Sequence, residues 1–134
     1  MTNVPMSRPL RLILLADAAA SGATAALLVA GAGVLERLLG LPVALMREAG
    51  LLLIPYVVLV VFVAARPSVA VAAVNAIIAI NAAWTAASVL LLMSGSVSPT
   101  LLGIVFVLAQ ALAVGTFAVI QYVCVRQAGS SVPA

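Results

Sequence analysis

Histidine is absent from this chain of 134 residues, and cysteine occurs once, at Cys124. The sequence therefore lacks the ligand sets that hold zinc, haem or iron–sulfur clusters, and it lacks the imidazole that most often serves in acid–base catalysis. Carboxylates are also scarce, since Asp17, Glu36 and Glu48 are the only three. We expect no catalytic residues, no metal site and no cofactor, and we predict that the protein is not an enzyme.

Charge of either sign is rare as well. Charged residues make up 7% of the chain and hydrophobic residues 66%, whereas a soluble domain has about 25% charged residues. So few charges cannot cover a surface that faces water, which indicates that lipid surrounds most of the chain. The basic residues are single arginines at the ends of apolar segments, without a basic run, so we expect no nucleic-acid partner.

Long apolar segments make up most of the sequence. Four of them, at 12–34, 42–65, 69–93 and 100–125, are long enough to cross a hydrocarbon layer of about 30 Å as helices. The sequence therefore predicts an all-α, polytopic membrane protein: one domain, an antiparallel bundle of four transmembrane helices. The polar ends, 1–9 and 127–134, are predicted to be mobile. The short turn between the second and third segments predicts that these two helices are antiparallel neighbours.

Arginine positions predict the orientation of the bundle. An even number of spans places both termini on one side, and this side has four arginines against two on the other. The positive-inside rule then places both termini in the cytoplasm of a multi-pass cell-membrane protein.

Asp17 is the one charged residue inside the first span. An ionised aspartate at the centre of a membrane helix costs about 3 kcal/mol, so we expect Asp17 to face protein or water instead of lipid. Small residues that recur every four positions give this helix a surface that other helices can approach closely. They are Ala18, Gly22, Ala26 and Ala30.

Polar side chains on three of the predicted helices form two layers when their depth is estimated from the helical rise. The layer near the cytoplasmic boundary contains Asp17, Asn75 and Gln121, and the layer near the midplane contains Asn81, Trp84, Gln110 and Thr24. Two interpretations stay open. The layers are either hydrogen bonds that fix the register of the helices, or the lining of a polar cavity that is open to the cytoplasm and has Asp17 as its titratable group.

Several short motifs resemble small bacterial four-helix integral membrane proteins of unassigned function. The resemblance extends from Arg8 to Tyr122 and is carried by Asp17 with Ser21-Gly22, Leu39-Gly40-Leu41-Pro42, Arg47 with Ala49-Gly50-Leu51, Asn81 and Trp84, Ser94-Gly95, Pro99-Thr100 with Gly103, Gln110-Ala111 and Gln121-Tyr122. It implies four helices and a place in the bacterial inner membrane, but no reaction. The chain is also similar in length and number of spans to small multidrug exporters. In that comparison Asp17 stands where those proteins have a glutamate.

These observations lead to two expectations about function. The first is a non-enzymatic structural or accessory bundle, whose partners are the lipid bilayer and either a second copy or another membrane protein. The alternative is a proton-coupled carrier of a small molecule, working as a dimer, in which Asp17 exchanges its proton with the substrate.

Overall fold

The computed structural model describes residues 2–130, and this part of the chain forms five helices and two short strands. In chain order they are β1 (Asn3–Pro5), α1 (Arg8–Ala30), α2 (Ala32–Leu39), α3 (Val43–Ala64), β2 (Ser68–Ala70), α4 (Val71–Met93) and α5 (Leu101–Ser130). The predicted all-α class is confirmed. Four of the helices, α1, α3, α4 and α5, are long and apolar enough to cross a membrane.

The first span differs from the predicted range 12–34, because α1 both begins and ends four residues earlier. Ser7 sets the early start, since its hydroxyl accepts a hydrogen bond from the Leu10 amide at 3.3 Å and so caps the helix. The helix ends at Gly31, whose backbone (φ −99°, ψ 7°) leaves the helical region. The next eight residues form the separate helix α2.

The other three spans lie close to their predicted positions. Helices α3 and α4 fall within 42–65 and 69–93, while α5 continues the predicted 100–125 by five residues. The mobile tail predicted for 127–134 is therefore corrected, because residues 127–130 belong to α5. Residues 131–134 lie outside the described part of the chain.

The mobile lead predicted for 1–9 is corrected as well, although its first residue lies outside the described range. Strand β1 pairs antiparallel with β2, so that Val4 stands opposite Val69, and the Met6 amide donates to the Pro67 carbonyl at 2.9 Å. Val4 is only 2% exposed. Burial of this apolar pair and the backbone hydrogen bonds explain why the chain is ordered here.

Helix α2 is joined firmly to the start of α5. Gly40 ends α2 with a positive φ of 70°, a conformation that favours glycine. The free carbonyls of α2 are then taken by Thr100, whose amide donates to Leu39 at 2.9 Å and whose hydroxyl donates to Leu38 at 2.7 Å. Gly103 packs against the Leu39 carbonyl so closely that a Cβ atom would collide with it.

The long helices are arranged as two antiparallel pairs. Helix α1 packs along α3, and α4 packs along α5, with contacts between α1 and α5 joining the pairs. The first pair is close at Gly50, where an added Cβ would lie 2.8 Å from Val29. Helices α3 and α4 hardly touch, although only a short turn separates them. The prediction that they are packed neighbours is therefore wrong, and a cleft separates the two pairs.

Candidate functional site

Asp17 lies in the middle of α1 and has no exposed surface. The first of its hydrogen bonds comes from its own helix, where the Ser21 hydroxyl, one turn later, donates to Oδ1 at 3.0 Å. A buried carboxyl group is costly unless polar partners replace the water that it has lost. Oδ1 therefore has its partner on the same helix, because residues four positions apart in a helix are neighbours on its surface.

The other carboxylate oxygen, Oδ2, accepts hydrogen bonds from the three remaining long helices. The donors are the Tyr56 hydroxyl of α3 at 2.6 Å, Asn81 Nδ2 of α4 at 2.9 Å and Gln121 Nε2 of α5 at 2.7 Å. One atom thus ties α1 to each of the other three helices. We refer to Asp17, Ser21, Tyr56, Asn81 and Gln121 as the Asp17 cluster.

The donors also bind one another. Asn81 Nδ2 donates to Gln121 Oε1 at 3.0 Å, and the Tyr56 hydroxyl lies 2.8 Å from Asn81 Oδ1. Within residues 2–130, every buried side-chain nitrogen or oxygen has a hydrogen-bond partner. The Asp17 cluster is therefore a closed network, of the kind that fixes one packing arrangement.

All partners of Asp17 in this cluster are uncharged, because the arginines near its end of the molecule contact other groups. The contacts are Arg11 Nε to the Ala64 carbonyl (2.9 Å), Arg126 Nη1 to the Tyr122 hydroxyl (2.7 Å) and the Arg66 guanidinium over the Phe62 ring (5.3 Å). Neutral hydrogen-bond donors, and not an ion pair, compensate for the burial of the carboxyl group.

A second polar group joins α4 to α5. Trp84 Nε1 donates to Gln110 Oε1 at 2.8 Å, and Gln110 Nε2 donates to the Ser88 hydroxyl at 2.9 Å. The Ser88 hydroxyl in turn donates to the Trp84 carbonyl at 2.8 Å. This Trp84–Gln110 group is half-buried and begins about one turn from Asn81, toward the α2 end.

The structure groups the predicted polar residues of the two layers differently. It places Asp17, Asn81 and Gln121 together, places Trp84 and Gln110 together, and leaves Asn75 exposed on α4. Asn81 therefore takes the place that the depth estimate gave to Asn75.

The reason lies in the true ends of the helices. Because α1 starts at Arg8 and α5 continues to Ser130, Asp17 and Gln121 both lie about 13 Å from the ends of their helices. Asn81 lies about 15 Å from the start of α4 and thus at the same level. Depths counted from the predicted ends were too shallow for Asp17 and Gln121.

Two members of the cluster, Tyr56 and Ser21, are missing from the candidates chosen from the sequence. The signal for Tyr56 was its hydroxyl in the interior of an apolar span, beside Pro55. The signal for Ser21 was its position one helical turn after Asp17. Both residues are buried.

A cavity of about 470 Å³ adjoins the cluster, in the cleft between the two helix pairs. Ser21, Tyr56 and Asn81 contribute to its wall, and most of the remaining lining is apolar. A second cavity of about 320 Å³ lies toward α2. The two cavities adjoin at their shared lining residues, Thr24, Trp84 and Gln110, and we refer to the place where they meet as the neck of the cleft.

No family model, curated protein or solved structure matches this chain. Within residues 2–130, no three His, Cys, Asp or Glu side chains come close enough to hold a metal ion.

Proposed function

We propose that the chain is a non-enzymatic, multi-pass protein of the bacterial inner membrane, whose four-helix bundle acts as a structural or accessory subunit. The observation that carries this proposal is the closed Asp17 cluster. Its carboxyl oxygens and its amides bind each other, from all four long helices, and the carboxyl group has no exposed surface. Such an arrangement suits a bundle that must keep one fixed register.

The proposed orientation has both termini in the cytoplasm. The ends of α1, α3, α4 and α5 nearest β1 and β2 have Arg8, Arg11, Arg66 and Arg126, while the opposite end has Arg37 and Arg47. The excess of arginine at the end with β1 supports the cytoplasmic assignment. The proposed partners are the lipid bilayer and a second copy or another membrane protein, not nucleic acid.

A proton-coupled carrier is the second candidate, and the Tyr56 hydroxyl favours it. This hydroxyl has one proton but lies within hydrogen-bond distance of two acceptors, Asp17 Oδ2 and Asn81 Oδ1. If Asp17 gained a proton on Oδ2, it would donate to the Tyr56 oxygen, and the Tyr56 proton would go to Asn81. The cluster can therefore accept a proton without a change in its packing, next to a cavity that could hold a substrate.

Asp17→Asn separates the two candidates. The purified protein is mixed in weakly buffered detergent solution with a panel of apolar and cationic compounds, and proton release is followed with a pH-indicator dye. The accessory role predicts no release from the wild-type protein and a variant with nearly unchanged thermal stability. The asparagine oxygen can still accept from donors on the other helices, while its amide donates to the Ser21 hydroxyl.

The carrier role predicts that some compound releases protons from the wild-type protein but not from Asp17→Asn. Asn75→Asp is the matched control, because it adds a carboxylate at an exposed position of α4. Release that depends on Asp17 and is unaffected in Asn75→Asp would overturn the accessory proposal.

A further inference from the structure

The cleft between the helix pairs is long and narrow. On α4 its lining extends from Ile80 in the larger cavity to Leu91 in the smaller one, a distance of about 16 Å along the helix axis. The larger cavity alone, at about 470 Å³, is within the usual range for small-molecule sites. An extended chain of single bonds advances about 1.2 Å per bond, so the cleft accommodates about a dozen carbons in a row.

Charge limits what the cleft can hold. Among the described residues, no arginine, aspartate or glutamate lines either cavity, and the Asp17 carboxyl group beside the larger cavity is enclosed behind its donors. A charged group placed here would lose its hydration without gaining an ion partner, which is strongly unfavourable. The occupant is therefore uncharged.

Polar groups are distributed unevenly along the cleft. Ser21, Tyr56 and Asn81 lie in the wall of the larger cavity, and Trp84 and Gln110 border the neck. Beyond the neck, the smaller cavity is mainly apolar, with Leu45, Leu91 and Phe106 among its lining residues. A molecule that fits this pattern has its polar group in the larger cavity and an apolar chain that passes the neck.

The cleft also has an entrance from the surface of the molecule. Leu52 of α3 and Ile80 of α4 line the larger cavity and are 67% and 42% exposed. They lie on the two helices that hardly touch. In a membrane this gap would face acyl chains, so a lipid-soluble molecule could enter sideways.

We propose that this cleft is a binding site for an uncharged, membrane-soluble amphiphile with one polar end and one extended apolar chain. The polar end, a hydroxyl group, donates to the Tyr56 or Asn81 oxygen, and the chain runs past Trp84 toward α2. This site goes beyond the accessory role and does not depend on proton coupling.

Trp84 provides the measurement, because it is the only tryptophan in the chain and borders both cavities. The full chain in detergent micelles is titrated with 6-bromoundecan-1-ol, whose bromine lies partway along the chain, beside Trp84 in the proposed pose, and quenches tryptophan fluorescence on contact. The expected result is saturable quenching. The (6-bromoundecyl)trimethylammonium ion, which has the same chain and a permanent charge, is expected to need about a tenfold higher concentration, equivalent to about 1.4 kcal/mol.

Two pairs of variants locate the site. Ala113→Phe fills the larger cavity, and Ala109→Phe adds the same ring at an exposed position of α5 outside the lining. The first is expected to weaken quenching by the alcohol about tenfold, and the second to leave it unchanged. Ala87→Phe places a ring in the smaller cavity, and Ala86→Phe is its control. Ala87→Phe is expected to weaken quenching by the 11-carbon alcohol but not quenching by 6-bromohexan-1-ol, whose shorter chain does not reach the smaller cavity.

Three outcomes would overturn the proposal. Equal quenching of all four variants by the alcohol would show that the probe contacts Trp84 from the micelle and not from the cleft. Equal quenching by the charged and uncharged probes would refute the assignment of an uncharged ligand. If a phospholipid with brominated acyl chains quenches Trp84 and the alcohol does not displace it, the cleft holds ordinary bilayer lipid. Melting curves identify any variant that fails to fold. In that case the other pair of variants, with its own control, tests whether the probe binds in the cleft.

Discussion

At the scale of single residues, the main feature is the set of hydrogen-bond donors that surround Asp17. Each polar contact inside a membrane protein contributes little, about 0.6 kcal/mol on average, because the unfolded helices also find partners in the membrane. The Asp17 cluster is stabilised by many such contacts together, since six short contacts link its five side chains to one another. Removing one member leaves others buried without a partner, so single changes should cost more than this average.

Tyr56→Phe tests the expected cost of removing one hydroxyl from the Asp17 cluster. The variant keeps the ring but loses the contacts with Asp17 Oδ2 and Asn81 Oδ1, so we expect the free energy of unfolding to fall by about 1–2 kcal/mol. Tyr122→Phe is the control. Its hydroxyl is exposed and accepts only from Arg126, so its loss should change stability by less than about 0.5 kcal/mol. The measurement is denaturant unfolding in mixed micelles, and equal effects of the two variants would contradict the cluster.

At the scale of elements, small residues decide how closely the helices approach. Gly50 of α3 faces α1, where an added Cβ would lie 2.8 Å from Val29 Cγ2 and 3.0 Å from Leu28 Cβ. The ridge of small residues predicted on α1 is only partly used for this packing. Ala18 is buried, but Ala26 and Ala30 are exposed and line an outer groove beside α3.

Gly50→Ala is therefore expected to destabilise the protein by about 1–3 kcal/mol, because the two helices must separate to admit the methyl group. Gly33→Ala is the matched control, since nothing lies within 4 Å of its added Cβ and alanine favours helix. We expect this control to be neutral or slightly stabilising when thermal melting of the purified variants is compared. A loss of stability in Gly33→Ala that equals the loss in Gly50→Ala would contradict the proposed close contact.

The elements also show how far the sequence could predict the structure. Hydropathy located four spans because a length of apolar residues is a strong signal. It missed the start of α1 by four residues, because the Ser7 cap lies in a polar segment that hydropathy does not assign to a span. That shift of one helical turn moved Asp17 to the level of Asn81. The pairing of β1 with β2 could not be predicted either, because three-residue strands far apart in sequence have no periodic pattern.

At the scale of the whole molecule, the two ends differ. The end with β1 and β2 is closed by backbone pairing, and Arg11 there donates to the carbonyls of Ala64 and Arg66 at the end of α3. The opposite end has the short helix α2, with Glu36 and Arg37 exposed. The proposed orientation places the first end in the cytoplasm and α2 at the outer surface.

Cysteine labelling in intact cells tests this orientation. In a background with Cys124→Ala, we expect a membrane-impermeant maleimide to label Glu36→Cys but not Ser130→Cys before the cells are opened. Both positions are exposed, so both should be labelled after the membrane is disrupted. The reverse pattern would show that the termini lie outside, and labelling of both in intact cells would contradict the inner-membrane topology.

We expect the side chains around Asp17 to act together across the helices. A double-mutant cycle measures this most directly, with Asn81→Leu and Gln121→Leu made singly and together and the free energy of unfolding determined for each protein. The account predicts a coupling free energy of about 0.5–3 kcal/mol for this pair, because Asn81 donates to Gln121 and both donate to Asp17. The same cycle with Asn75→Leu in place of Asn81→Leu should give less than about 0.5 kcal/mol. Equal coupling in the two cycles, or none in either, would contradict the account.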